Sequence, residues 1–181
     1  MKDLFSPRNI FLILIVFAGT STRLLPHPYN FTAISAIALL SGARFNNKLL
    51  AFLVPLSAML LTDVIIGFHA FWDMVAVYGC IIFTGILGMQ IKNKHTIFPI
   101  AASSLLASTV FYLVTNFSVW PGNALYSQDL TGLLNSYFAG IPFFKNEISG
   151  GLFYSTVIFG GFLMAEKLFP AQLSLNKIAK N

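Results

Sequence analysis

The sequence predicts an all-α integral membrane protein with six transmembrane helices and both termini in the cytoplasm. Its composition is the first reason: 56% of the 181 residues are hydrophobic and 9% are charged, against about 25% charged residues in a soluble domain. The second reason is a series of apolar segments whose lengths suit a bilayer. The third is an uneven placement of the basic residues. We expect a single six-helix domain over residues 1–181.

The six segments follow one another with short polar connections. The first apolar run, residues 10–20, comes after Lys2 and Arg8 and resembles a signal peptide with a candidate cleavage region at 18–20. We prefer a first transmembrane helix that continues to about residue 25, because five more apolar segments follow. The second segment is short and rich in Ala, Ser and Gly, which suits close helix packing. Helices two to six are predicted over residues 31–43, 49–66, 71–89, 97–115 and 148–168.

Basic residues favour six spans over five. With six spans and an inner N-terminus, nine basic residues face the cytoplasm, and only Arg23 and Lys145 face outward. If the short second segment did not span, every later loop would invert and eight basic residues would lie outside, against the positive-inside rule. The nine inner residues are Lys2, Arg8, Arg44, Lys48, Lys92, Lys94, Lys167, Lys177 and Lys180.

Several functional classes are excluded by composition and motif. The basic residues are not interleaved with aromatic residues on a soluble surface, so nucleic-acid binding is not expected. The chain has no G-x-x-x-x-G-K-[ST] loop and does not hydrolyse ATP by that route. Its one cysteine, Cys80, cannot form an internal disulfide. We expect no cofactor and no nucleophile–base pair, because no motif for either is present.

The densest polar stretch is residues 23–32, Arg-Leu-Leu-Pro-His-Pro-Tyr-Asn-Phe-Thr. Pro26 and Pro28 fix φ and remove two backbone donors, so no regular helix is expected here. We predict a structured turn at the outer membrane surface. The alternative is a plain kinked connector between two helices.

The three predicted outer loops hold most of the unusual side chains, which favours a binding site for a small molecule outside the cell. Asp63 is expected to pair with Arg23, because an unpaired carboxylate near the membrane is costly. That pair is either a structural tie between loops or the wall of a polar pocket. Aromatic rings can stack on a flat ligand while amides satisfy its polar rim. The candidate ligand-binding residues are Arg23, His27, Tyr29, Asn30, Asp63, His69, Asn116, Trp120, Tyr126, Asn135 and Tyr137.

Residues 116–147 form the longest predicted connection. A loop of this length is usually a lid or a disordered segment, and the apolar stretch 130–139 suits folding back over the bundle. We favour a lid. The alternative is that its aromatic residues form only the outer aromatic belt of a membrane protein.

Metal binding is not expected from the sequence. His27, His69, Asp63 and Asp73 match no ligand pattern. Cys80 lies near the middle of the fourth segment, where an inert buried thiol is the simpler interpretation. The alternative is a soft ligand at a pocket floor, for example to cobalt in a corrinoid.

Several motifs carry a family resemblance. They are Arg-Leu-Leu-Pro-His-Pro-x-Asn-Phe-Thr at 23–32, Thr-Asp at 62–63, Gly-Phe-His at 67–69, and Tyr-x-Ala-x-Ile-Pro-Phe-Phe at 137–144. Together they resemble an uncharacterised bacterial family of small multi-spanning membrane proteins. That family is similar in architecture to the S-components of energy-coupling-factor vitamin transporters.

This resemblance implies an S-component-like bundle in the bacterial cytoplasmic membrane. Such a protein captures a small vitamin-like molecule on the outer side and works with a membrane coupling subunit and its ATPases. One departure concerns the Ala-x-x-x-Ala face typical of the first S-component helix: here Ala18 has Leu14 and Thr22 at those spacings. Ala38 and Gly42 offer a substitute small-residue face on the second helix.

Two other functions stay open. An integral-membrane enzyme acting on lipids would use His27, Asp63 and His69 at the outer interface. A structural or assembly subunit would bind another protein through its outer loops.

Overall fold

The computed structural model describes residues 5–92, 94 and 96–173, and over those ranges it contains helices and connections without any strand. The all-α class is therefore confirmed. Lys2, Lys177 and Lys180, counted above on the inner side, lie outside the described residues. The helices are α1 (Pro7–Thr20), continued by a 3-10 turn (Ser21–Leu24), α2 (Ile34–Arg44), α3 (Lys48–Ile66), α4 (Phe71–Gln90), α5 (Ile97–Val119), α6 (Leu130–Leu168) and α7 (Pro170–Leu173).

Four helices, α3 to α6, are long and apolar enough to cross a membrane. α1 has 14 residues and α2 has 11, whereas a span needs about 20. Membrane-helix character is thus supported by the four long helices. Six spans and inner termini stay predictions.

One end of the bundle is held by two buried arginines, and we call it the Arg44 end. Arg8 Nη1 lies 2.8 Å from Glu166 Oε1, and Arg8 Nη2 donates to the backbone carbonyl of Arg44 at 3.3 Å. Arg44 in turn donates to the carbonyls of Lys92 and Lys94 at 2.9 and 3.0 Å. These bonds join the start of α1, the ends of α2 and α6, and the connection after α4.

α2 forms the centre of the bundle, with ten of its 11 residues buried. It crosses α4 in direct backbone contact. A Cβ on Gly42 would overlap the carbonyl oxygen of Gly85, and a Cβ on Gly88 would overlap that of Leu39. The expected use of small residues for close packing is confirmed, and it explains why so short a helix can be enclosed on all sides. The proposed docking face of Ala38 and Gly42 is wrong, because both residues are buried inside the bundle.

The prediction of one long connection over residues 116–147 is wrong. α5 continues to Val119 and α6 begins at Leu130, so the connection covers residues 120–129 only. The sixth helix therefore starts 18 residues before the predicted 148. Pro142 is accommodated inside α6, and two of the aromatic residues expected in a lid, Tyr137 and Phe144, pack α6 against α5. Tyr112 stacks on Phe144 with ring centroids 4.4 Å apart.

Candidate functional site

The polar stretch 23–32 ends the 3-10 turn and then runs irregularly to Ala33. The expected absence of a regular helix through its prolines is confirmed. Asn30 adopts the left-handed conformation with φ +63°, which Asn tolerates better than most residues. Asn146 Nδ2 donates to the Tyr29 carbonyl at 3.0 Å, and a Cβ on Gly150 would lie 3.1 Å from the Cα of Phe31. The stretch is thereby fixed against α6.

A cavity of about 330 Å³ opens where this stretch meets α2, α3, α4, α5 and α6. Its volume falls within the range of small-molecule sites. The end of the bundle that contains it is opposite the Arg44 end, and we call it the Arg23 end. Six of the eleven candidate ligand-binding residues line the cavity: Arg23, His27, Tyr29, Asn30, Asp63 and His69.

The expected pairing of Arg23 with Asp63 is confirmed. Arg23 Nη1 lies 2.7 Å from Asp63 Oδ1, with the two side chains 11% and 3% exposed. Tyr78 Oη donates to Asp63 Oδ2 at 2.7 Å, and Arg23 Nη1 also donates to Thr62 Oγ1. The pair ties the first connection to α3 and also forms one wall of the cavity, so both interpretations hold.

Asp73 and His27, which also line the cavity, each contact a different neighbour. Asp73 Oδ1 accepts a hydrogen bond from Ser118 Oγ at 2.9 Å, and His27 Nδ1 lies 2.8 Å from its neighbouring Pro28 carbonyl oxygen. His69 lines the cavity beside them. Over the described ranges, no three His, Cys, Asp or Glu side chains are grouped to hold one metal ion.

Glu147 was missed by the sequence analysis as a site residue. It lines the cavity from α6, is 5% exposed, and its Oε1 accepts a hydrogen bond from Ser35 Oγ at 2.6 Å. The available signal was a carboxylate immediately before the apolar segment 148–168, where burial of a charge is costly. The predicted connection over residues 116–147 ends at Glu147, so this carboxylate is assigned to a loop in the sequence analysis.

The other five candidate residues lie outside the cavity wall, along the α5–α6 hairpin. Asn116 Nδ2 donates to the carbonyl of Tyr112 at 2.8 Å, and Trp120 Nε1 donates to that of Ser127 at 2.9 Å. Their contact with a ligand stays a prediction. The five are Asn116, Trp120, Tyr126, Asn135 and Tyr137.

Cys80 is buried in α4, with 4% of its surface exposed, and is not among the residues that line the cavity. It therefore does not form the floor of this cavity. Its surroundings in the hydrophobic interior fit a small apolar side chain.

Comparison with known proteins gives one family. A family model described as "Family of unknown function (DUF6580)" matches residues 4–172. Neither the curated proteins nor the solved structures compared with the chain include a match.

Proposed function

The chain belongs to this family of unknown function, and we propose that it is a multi-pass protein of the bacterial cytoplasmic membrane that captures a small vitamin-like molecule for transport. The proposed fold is an S-component-like bundle of six spans with both termini inside. A membrane coupling subunit with ATPases is the proposed partner.

The cavity at the Arg23 end carries this proposal. It combines apolar walls with a few fixed polar groups, which is the usual character of a small-molecule site. Met59, Val77 and Phe111 contribute apolar surface, while the Arg23–Asp63 pair supplies a rigid polar edge. Since the charged groups of this edge already hold one another, the cavity is formed before any ligand enters. Such preorganisation reduces the ordering cost of binding.

Charge placement supports an outward orientation of the cavity. Arg8, Arg44 and the Lys92–Lys94 connection meet at the opposite end of the bundle, and basic residues concentrate on the cytoplasmic side of membrane proteins. The Arg23 end then faces outward, where a molecule to be taken up arrives.

A thermal-shift screen of purified protein against water-soluble vitamins, corrinoids and their precursors tests the proposal. Two cavity variants are chosen so that the backbone is not strained. Asn30→Gly removes an amide at a position with positive φ, which Gly adopts freely, and His69→Ala removes an exposed ring. Asn46→Ala is the matched control, because Asn46 is an exposed amide on the connection between α2 and α3, outside the cavity wall.

We expect at least one ligand, with affinity reduced about tenfold, or about 1.4 kcal/mol, by either cavity variant and unchanged by Asn46→Ala. A screen without any hit, on protein that purifies without a bound small molecule, contradicts capture. A ligand that is insensitive to both cavity variants places the site elsewhere.

A further inference from the structure

Glu147 differs from Asp63 and Glu166 in having no cationic partner among the described residues. Asp63 is paired with Arg23 and Glu166 with Arg8. Within the part of the chain that the structure describes, no Lys, Arg or His side chain lies at ion-pair distance from Glu147, whose carboxylate accepts a hydrogen bond from Ser35. A carboxylate that is 5% exposed is expensive to keep without a partner.

Two features of the surroundings partly offset the cost of burying a charge on Glu147. The hydrogen bond to Glu147 is donated by Ser35, the second residue of α2. The carboxylate therefore lies at the amino end of that helix. The partial positive charge of a helix amino terminus stabilises a nearby carboxylate. These contacts do not remove the cost of an ionised carboxylate at this depth, so a cation docked against Glu147 would stabilise its charged form.

The charge of the whole cavity points in the same direction. Its wall contains three carboxylates, Asp63, Asp73 and Glu147, against one guanidinium, that of Arg23, and it contains no lysine. The wall therefore holds more acidic groups than guanidinium or ammonium groups. Arg23 is already engaged by Asp63 at 2.7 Å, so an anionic ligand would find no free guanidinium and would lie beside carboxyl groups.

We propose that the ligand of this cavity carries a positively charged nitrogen that docks against Glu147, with an apolar or aromatic body against the remaining wall. This inference rests on the proposed capture function and adds the chemical class of the ligand. Phe111 and Tyr78 line the same cavity, and aromatic faces attract desolvated cations. The positively charged nitrogen of the ligand would then form the ion pair that Glu147 lacks within the protein.

Three probes of one shape test this charge preference: benzylammonium, benzyl alcohol and benzoate. Their binding to the purified full chain in nanodiscs is measured by saturation-transfer NMR, with competition among the three. The same series is repeated on Glu147→Gln, which keeps the size of the side chain and its acceptor for Ser35. Asp129→Asn is the matched control, since Asp129 is a carboxylate on the exposed connection between α5 and α6.

We expect benzylammonium to bind at least tenfold more tightly than benzyl alcohol or benzoate. Glu147→Gln should abolish the preference, and Asp129→Asn should retain it. The ranking on unmodified protein tests the proposal even if Glu147→Gln does not fold. A preference for benzoate or benzyl alcohol that is lost in Asn30→Gly overturns the cationic ligand and leaves cavity binding intact. Absence of binding by all three probes contradicts the cationic ligand, whereas the capture function is tested separately by the vitamin screen.

Discussion

Arg23 and Asp63 form an ion pair of 2.7 Å between the 3-10 turn after α1 and the carboxyl-terminal part of α3. Both side chains are nearly buried, so each is held by the other instead of by water. The pair therefore determines how the first connection sits over the cavity, and its removal should affect stability as well as binding.

The first prediction concerns the coupling of these two charges. Arg23→Ala and Asp63→Ala should each lower the free energy of unfolding by about 3 kcal/mol, because each leaves a buried charge alone. The double variant should lose less than the sum of the two single losses. Titration with SDS in mixed micelles measures all three, and Arg23→Ala combined with Asp129→Ala is the additive control. Additive losses for Arg23 and Asp63 would contradict the pairing.

The crossing of α2 and α4 gives the second prediction. Gly42→Ala should destabilise the protein by about 2 kcal/mol or more, because its Cβ would overlap the carbonyl of Gly85 and separate two packed backbones. Gly79→Ala, in α4, should change stability by less than about 1 kcal/mol, since nothing lies within 4 Å of a Cβ there. The same mixed-micelle titration compares them. Equal losses would mean that the crossing is looser than described.

The third prediction uses the start of α6. Asp129 accepts hydrogen bonds from the Gly132 amide at 2.8 Å and from the Ser127 hydroxyl at 2.7 Å, and these lower the pKa of its carboxyl below the ordinary value. Its contribution to the helix start is thus complete above the ordinary pKa of about 3.9 and is lost as the pH falls through the lowered folded value. The NMR shift of the Gly132 amide should follow this titration. In Asp129→Asn the shift should stay constant over the same range, and a titration that persists there would refute the assignment.

The fourth prediction tests the orientation in the membrane. In a Cys80→Ala background, Ala124→Cys on the connection between α5 and α6 should react with a membrane-impermeant thiol reagent applied to intact cells. Asn46→Cys, between α2 and α3, should react only after the cells are opened. Both positions are exposed, so accessibility within the protein does not distinguish them. The reverse labelling would place the cavity on the cytoplasmic side.

The middle of the fold could be predicted closely from sequence. α3 and α4 lie within one residue of their predicted bounds, because each is a long apolar run that polar or turn residues interrupt at both ends. The pairing of Arg23 with Asp63 followed from the cost of a lone charge near the membrane. The helix bounds depend on the hydropathy of one segment, and the pairing depends on how few charged residues the chain has. Both properties can be read from a single sequence.

The start of α6 could not be predicted in the same way. Residues such as Pro142 and Asn146 resemble those of a connection, yet in the fold Pro142 lies inside the helix and Asn146 bonds to Tyr29. The role of Glu147 was hidden for the same reason: its hydrogen bond comes from Ser35, 112 positions earlier. Contacts between segments that are distant in sequence determine where α6 begins and how Glu147 is buried. A hydropathy profile gives no information about such contacts.

The shortness of α2 has an electrical consequence. Its 11 residues rise about 17 Å at 1.5 Å per residue, roughly half of a ~30 Å hydrocarbon layer. The other half, above its amino end, is taken by the cavity and the irregular stretch before it. In a bilayer, water in that cavity would conduct, and the voltage across the membrane would fall mainly over the insulating protein between Glu147 and the Arg44 end. A charge crossing the full voltage gains about 2.3 kcal/mol per 100 mV. With the cavity facing outward, as proposed, an inside-negative voltage would draw a cation bound at Glu147 towards the cytoplasm.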